Sequence, residues 1–164
     1  MVHRTYAGLG SPDLAIPAFN KLTPWAKRLL ELQGQFDRFT AGWLAFGIAI
    51  EALETTAYHF TRRPRFYERL SEEMTPAPGT SLLGQPAEVI KTFIGLTPYH
   101  DALISMLQQC RPMGRDYMAI LIAKDGLDSA AYHFTREDRF FAPRSDSTGP
   151  IRGPAGHVLA ASSA

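Results

Sequence analysis

The sequence has a single cysteine, no excess of charge of either sign and no long apolar run, and each shortage excludes something. Cys110, alone among 164 residues, cannot close an internal disulfide or build a thiolate metal cluster. The 17 Lys and Arg against 16 Asp and Glu leave a net charge of +1. No broad field therefore draws in nucleic acid or an acidic membrane, and no nucleic-acid partner is expected. The longest apolar stretch, Trp43 to Ile50 continuing through Ala52 and Leu53, is broken by Glu51. It falls short of the roughly 20 apolar residues of a bilayer span and reads as a buried helix. Residues 1–10 hold no apolar core of signal-peptide length, so the expected location is cytoplasmic. Gly8, Gly10, Gly79 and Gly84 make no phosphate-loop spacing followed by Lys and Ser or Thr. Sustained period-two alternation with hairpin turns is missing too, which leaves an all-α fold.

What is present is an internal repeat. Residues 9–67 and 83–141 align at a constant offset of 74 with no insertion. Leu22-Thr23-Pro24 matches Leu96-Thr97-Pro98, and Ala57-Tyr58-His59-Phe60-Thr61-Arg62 matches Ala131-Tyr132-His133-Phe134-Thr135-Arg136. Roughly one aligned position in three is identical, where ordinary residue usage gives about one in sixteen by chance. Others match in kind: Trp25/Tyr99, Trp43/Tyr117, Glu51/Asp125, Glu54/Asp128 and Thr55/Ser129.

Each half reads as three helical pieces. The first starts near Pro12 or Pro86, where proline in the opening turn gives up no hydrogen bond; Pro17 interrupts this piece in the first half. The second starts at Thr23-Pro24 or Thr97-Pro98, a hydroxyl N-cap before proline, and runs to about Phe39 or Gln109. The third and longest covers Trp43–Phe60 and Tyr117–Phe134. The expected architecture is one domain. It is an all-α, internally duplicated bundle of two helical-hairpin repeats, four main helices and two short ones, related by a pseudo-two-fold axis. Residues 68–82, with Pro76, Pro78 and Gly79, read as a linker, and 142–164 as a flexible tail.

Chemistry is sought on the long helices. At about 100° per residue, Glu51, Glu54, Thr55, Tyr58 and Arg62 form one polar stripe, and Asp125, Asp128, Ser129, Tyr132 and Arg136 form its counterpart. The small pairs Ala45/Ala49 and Ala119/Ala123 allow close approach of the two helices. An antiparallel crossing near Ala49 and Ala123 would bring Glu51 and Asp125 to about 3 Å along the axis on either side, from the rise per residue. In that reading Glu51, Glu54, Asp125 and Asp128 ligate a pair of iron or manganese ions, with Tyr58, Tyr132, His59 and His133 as proton-transfer groups nearby. In topology this resembles the ferritin-like di-metal bundles. It departs from their ligand pattern: those bundles use Glu-x-x-His pairs and lone Glu residues, while here the pairs are Glu51-x-x-Glu54 and Asp125-x-x-Asp128, and Glu31 is matched by Ser105.

Each feature also has a plainer reading. The duplicated acids are equally what the wet side of an amphipathic helix would carry. His59, His133, Arg62 and Arg136 suit the last turn of a helix, where cations meet unpaired carbonyls. His100 would be a third ligand in the second half only, since Ala26 stands at its matching position. Arg62, Arg63, Arg65 and Arg69 with Phe66 and Tyr67 could bind phosphate, but the matching segment carries Glu137 and Asp138, at the positions of Arg63 and Pro64. Cys110 matches Phe36 and reads as filling. Two functions are thus expected from different classes. One is a di-iron or di-manganese carboxylate protein with redox chemistry on a small molecule or oxygen. The other is a non-catalytic protein that binds a protein partner or an apolar ligand, or assembles into a homo-oligomer, through Trp25, Trp43, Phe46, Tyr99 and Tyr117.

Overall fold

The computed structural model describes residues 5–73 and 85–143. These are mostly helical, with no strand among them. In chain order the helices are α1 (Pro12–Asn20), α2 (Thr23–Gln33), α3 (Ala41–Thr61), α4 (Glu68–Glu73), α5 (Pro86–Gly95), α6 (Thr97–Gln109) and α7 (Arg115–Thr135). The starts of α5, α6 and α7 fall 74 residues after those of α1, α2 and α3. Among the described residues no helix is long and apolar enough to cross a membrane.

Several boundaries depart from the sequence reading. Pro17 lies inside α1 without ending it; the missing N–H falls only one turn from the helix start, where little of the ladder is lost. Helix α2 stops at Gln33 rather than Phe39: Gly34 caps it through its N–H, and Phe36 packs on the core from the turn beyond. Leu22 and Leu96, not the threonines, occupy the N-cap positions of α2 and α6. The expected linker opens with helix α4 over Glu68–Glu73, and its remainder, 74–82, lies outside the described residues. Of the expected tail, only residues 142 and 143 are described.

Helices α3 and α7 form the most extensive contact in the molecule. They run antiparallel, since Thr56 Oγ1 lies 2.7 Å from the Ala119 carbonyl, while Gly126, further along α7, meets Ala49 and Ala52, which precede Thr56. A Cβ at Gly126 would sit 2.7 Å from the Cβ of Ala52, so glycine is what lets the helices approach so closely there. Helices α1 and α2 pack on α3, and α5 and α6 on α7. The core mixes the two halves. Phe46 of α3 stacks on Phe93 of α5 at 5.9 Å and lies 5.1 Å from Phe134 of α7; Phe36 is 5.4 Å from Phe134. Trp25 of α2 stacks on Tyr99 of α6 at 6.2 Å. Each such buried ring contributes about 1.5–3 kcal/mol of transfer free energy, which neither half would collect alone.

Candidate functional site

The duplicated string Tyr-His-Phe-Thr-Arg ends both long helices, and its chemistry is that of a helix stop. Phe60 is buried and stacks on Phe19 at 5.6 Å, while Phe134 joins the Phe46/Phe93 cluster. Thr61 and Thr135 donate their hydroxyls to the carbonyls of Ala57 and Ala131, both at 2.7 Å. Those hydroxyl oxygens in turn accept the N–H groups of Arg63 and Glu137. Arg62 and Arg136 each take the left-handed conformation at φ 58° and close the helix by donating N–H to the carbonyls of Tyr58 and Tyr132.

The histidines of that string diverge in environment. His59 Nε2 lies 2.8 Å from Asp116 Oδ1 of α7, a hydrogen-bond contact across the helix interface that the sequence reading did not foresee. Gly42 stands where Asp116 would have its counterpart, so His133 meets no matching acid; it packs edge-on against Phe134. Tyr58 and Tyr132 are about half exposed.

The four acids expected to converge are not brought together. Glu51 and Asp125 are exposed. Glu54 turns toward the chain that follows α3: its Oε1 accepts the Tyr67 N–H at 2.6 Å, while Oε2 is buried without a hydrogen-bond partner. Burial pushes its carboxyl above the ordinary 4.5, against the lowering effect of the Tyr67 and Phe66 N–H groups. Asp128 sits at the α6 side, 2.6 Å from Lys124 Nζ and 3.8 Å from His100 Nε2. Among the described residues no three His, Cys, Asp or Glu side chains are grouped so as to hold a metal ion. Of the four acids expected to form one iron or manganese centre, Glu51 and Asp125 are exposed, and Glu54 and Asp128 have partners of their own in Tyr67 and Lys124.

His100 is buried and stacks on Phe141 at 4.8 Å, with Nδ1 3.9 Å from the Asp101 carboxylate. Burial lowers its pKa, opposed by Asp128. Cys110 is buried, and burial raises its thiol pKa, as suits a packing residue.

Two features stand out as binding surface. The first is the outer side of the α3/α7 layer. Both helices face one core with Phe46, Leu53 and Ala57 and with Ile120, Leu127 and Ala131, so their opposite faces look out on the same side. There Leu44, Ile48 and Tyr58 on α3, and Met118, Ile122 and Tyr132 on α7, are each between 42% and 56% exposed. With Glu51 and Thr55, or Asp125 and Ser129, they fall at alternating spacings of four and three, the period of a helix-docking seam. The second is a groove of about 920 Å³ between α2, α3 and α4, whose walls include Ala26, Leu30, Trp43, Gly47, Ile50 and Glu54. Sequence reasoning offered Trp43 as a cleft residue, and it lines the groove, but the seam was missed. The spacing of Leu44, Ile48, Met118 and Ile122 was visible, but apolar residues at that spacing ordinarily mark a buried face. No protein-family model, curated protein or solved structure matches the chain.

Proposed function

We propose that this is a non-catalytic interaction protein, an internally duplicated bundle with a pseudo-two-fold axis through the α3/α7 crossing, whose open α3/α7 face docks a helix of another protein. The observation that carries this reading is the pair of matched seams that are half-exposed among the described residues. Stripes at the 4-3 spacing bury well only against another helix. From Leu44 to Tyr58 the seam is about 21 Å long, the reach of a four-turn helix.

Charge selects the occupant. Each seam is apolar or aromatic toward its ends and carries a carboxylate, Glu51 or Asp125, in its middle. A second copy laid face to face would set these acids against their own duplicates. A helix with apolar residues near both ends and Lys or Arg at its centre would pair with them. The metal-redox reading has less behind it, since it needs four acids in one volume and no three of them are grouped among the described residues.

The test uses a synthetic sixteen-residue amphipathic peptide with Leu near each end and two central Lys, followed by NMR shift mapping on the full chain. Saturable shifts on α3 and α7 are expected, lost in the Met118→Lys/Ile122→Lys variant and weakened about tenfold or more when the peptide lysines are Glu. Absence of binding would overturn the reading. So would a concentration-dependent dimer in sedimentation that the same variant dissociates, which would identify the occupant as a second copy.

A further inference from the structure

The groove between α2, α3 and α4 owes its space to two small residues. Ala26 and Gly47 line it, and the residues 74 positions on are His100 and Leu121. In the second half that matching space is filled: His100 lies flat on Phe141, and Leu121 packs against the core. A third exchange concerns charge. Ile50 lines the groove, and its counterpart is Lys124, whose ammonium sits 2.6 Å from Asp128 and 3.9 Å from Asp125. In the first half the same two acid positions are Glu54 and Glu51, both lining the groove, and no lysine comes with them. Glu54 Oε2 is left buried with no partner. Across the groove walls three carboxylates, Glu51, Glu54 and Glu68, stand against one guanidinium, Arg65, which is 3.0 Å from Glu68.

We infer that the groove is a binding site for a small protonated amine on an apolar, ring-bearing body, an arylalkylamine, which supplies to the first half what His100, Leu121 and Lys124 supply to the second. The aromatic and aliphatic walls, Trp43, Leu30, Leu53 and the ring of Tyr67, take the body. The ammonium goes toward Glu51 and Glu54, as the Lys124 ammonium goes to Asp128. A carboxylate pair beside apolar walls favours a cation over a neutral group of the same shape, because the charge-assisted bond is the stronger one. The groove shares the whole α3 seam, Leu44, Ile48, Glu51, Thr55 and Tyr58, with the outer face, but its floor and the Glu54 carboxylate lie outside that seam, and so do the α7 residues on which helix docking also relies.

The experiment titrates the full chain carrying Trp25→Phe, so that Trp43 is the remaining tryptophan, with 2-phenylethylamine, 2-phenylethanol and 3-phenylpropionate. A saturable change in Trp43 emission is expected with the amine, about tenfold or more weaker binding with the alcohol, and none with the acid. Gly47→Leu and Ile50→Lys, which import the second half's residues, are each expected to abolish amine binding while far-UV circular dichroism stays unchanged. Should Gly47→Leu fail to fold, Ile50→Lys decides alone, since it places a cation without filling the floor. Glu54→Gln is expected to bring amine and alcohol to parity. Equal binding of amine and alcohol by the unaltered groove would overturn the proposal, as would amine binding that survives Ile50→Lys. Met118→Lys/Ile122→Lys, which disables the outer seam at residues that do not line the groove, is expected to leave amine binding intact. Its failure to do so would place the amine on the outer face and overturn the groove site.

Discussion

The corner formed by α2, α3 and α4 and the corner formed by α6 and α7 start from the same pattern of residues and end in opposite physical states. In the second, Lys124 neutralises Asp128, His100 covers Phe141, and Leu121 joins the packing. In the first, Ile50, Ala26 and Gly47 leave an open groove beside an unneutralised Glu54. Tyr67 secures that corner by a different bond, donating its buried hydroxyl to the Phe19 carbonyl at 2.6 Å, where Phe141 has no hydroxyl to give. The difference teaches that two stretches sharing one residue pattern can keep a similar core while the chemistry of their edges diverges. Three substitutions at matched positions suffice, because none of them lies at the α3/α7 crossing.

The comparison breaks most severely at that crossing. Ala52 and Gly126 are matched positions that touch each other. Gly126→Val would force backbone apart, since Ala49 Cα and the Ile48 carbonyl also lie within 3.4 Å of any added Cβ. A loss of about 3 kcal/mol in urea unfolding is expected. Exchanging the two residues, Ala52→Gly with Gly126→Ala, keeps one methyl at the crossing and is expected to stay within about 1 kcal/mol of the parent. A smaller effect is expected from Tyr67→Phe, which imports the second half's ring. It leaves the packing and removes the bond to Phe19, for a loss of about 1 kcal/mol by the same measurement.

The smallest effects separate the corners by pH, with opposite signs. Burial lowers the His100 pKa below its ordinary 6.5. Between those two values the unfolded chain holds more protons, so stability falls as pH drops through this window. The groups facing the ring include Asp128 and Lys124 of α7 and Asp101 of its own helix. Burial raises the Glu54 pKa above 4.5, so between 4.5 and the raised value the folded chain holds more protons, and stability falls as pH rises. The groups acting on Glu54 include Glu51 of α3, Glu68 of α4 and the N–H groups of Tyr67 and Phe66. His100→Gln is expected to flatten the acid-side loss, and Glu54→Gln to flatten the opposing one, read as melting temperature against pH. A parent curve unchanged by either variant would mean that neither corner holds its group in the way described.

Much of the frame was legible in the residues. Proline in the opening turns marked α1, α2, α5 and α6, and the apolar runs marked α3 and α7 almost to the residue. The small residues Ala45, Ala49, Ala119 and Ala123 indicated where the long helices meet, and all four are buried. The site was not legible in the same way. A helical wheel puts Glu51, Glu54 and Tyr58 on one stripe, but the stripe's direction depends on which side of the helix the neighbours occupy. The α7 contact falls on Ala49, Ala52 and Thr56, and this turns Glu51 outward and Glu54 toward Tyr67. Likewise the repeated histidines looked like a matched pair until Asp116 met His59, while glycine, Gly42, stands at the position matching that acid.

The sequence by itself determined that the chain is helical, within a residue or two where every helix but α4 begins, and that two stretches share one pattern, because capping, proline and periodicity act over a few residues. Only the tertiary structure decided which repeated residues face each other, which face outward and which enclose a groove. Those outcomes depend on the angle and depth at which α3 and α7 pack, and a single glycine, Gly126, controls that depth through contacts 74 to 78 residues away in sequence.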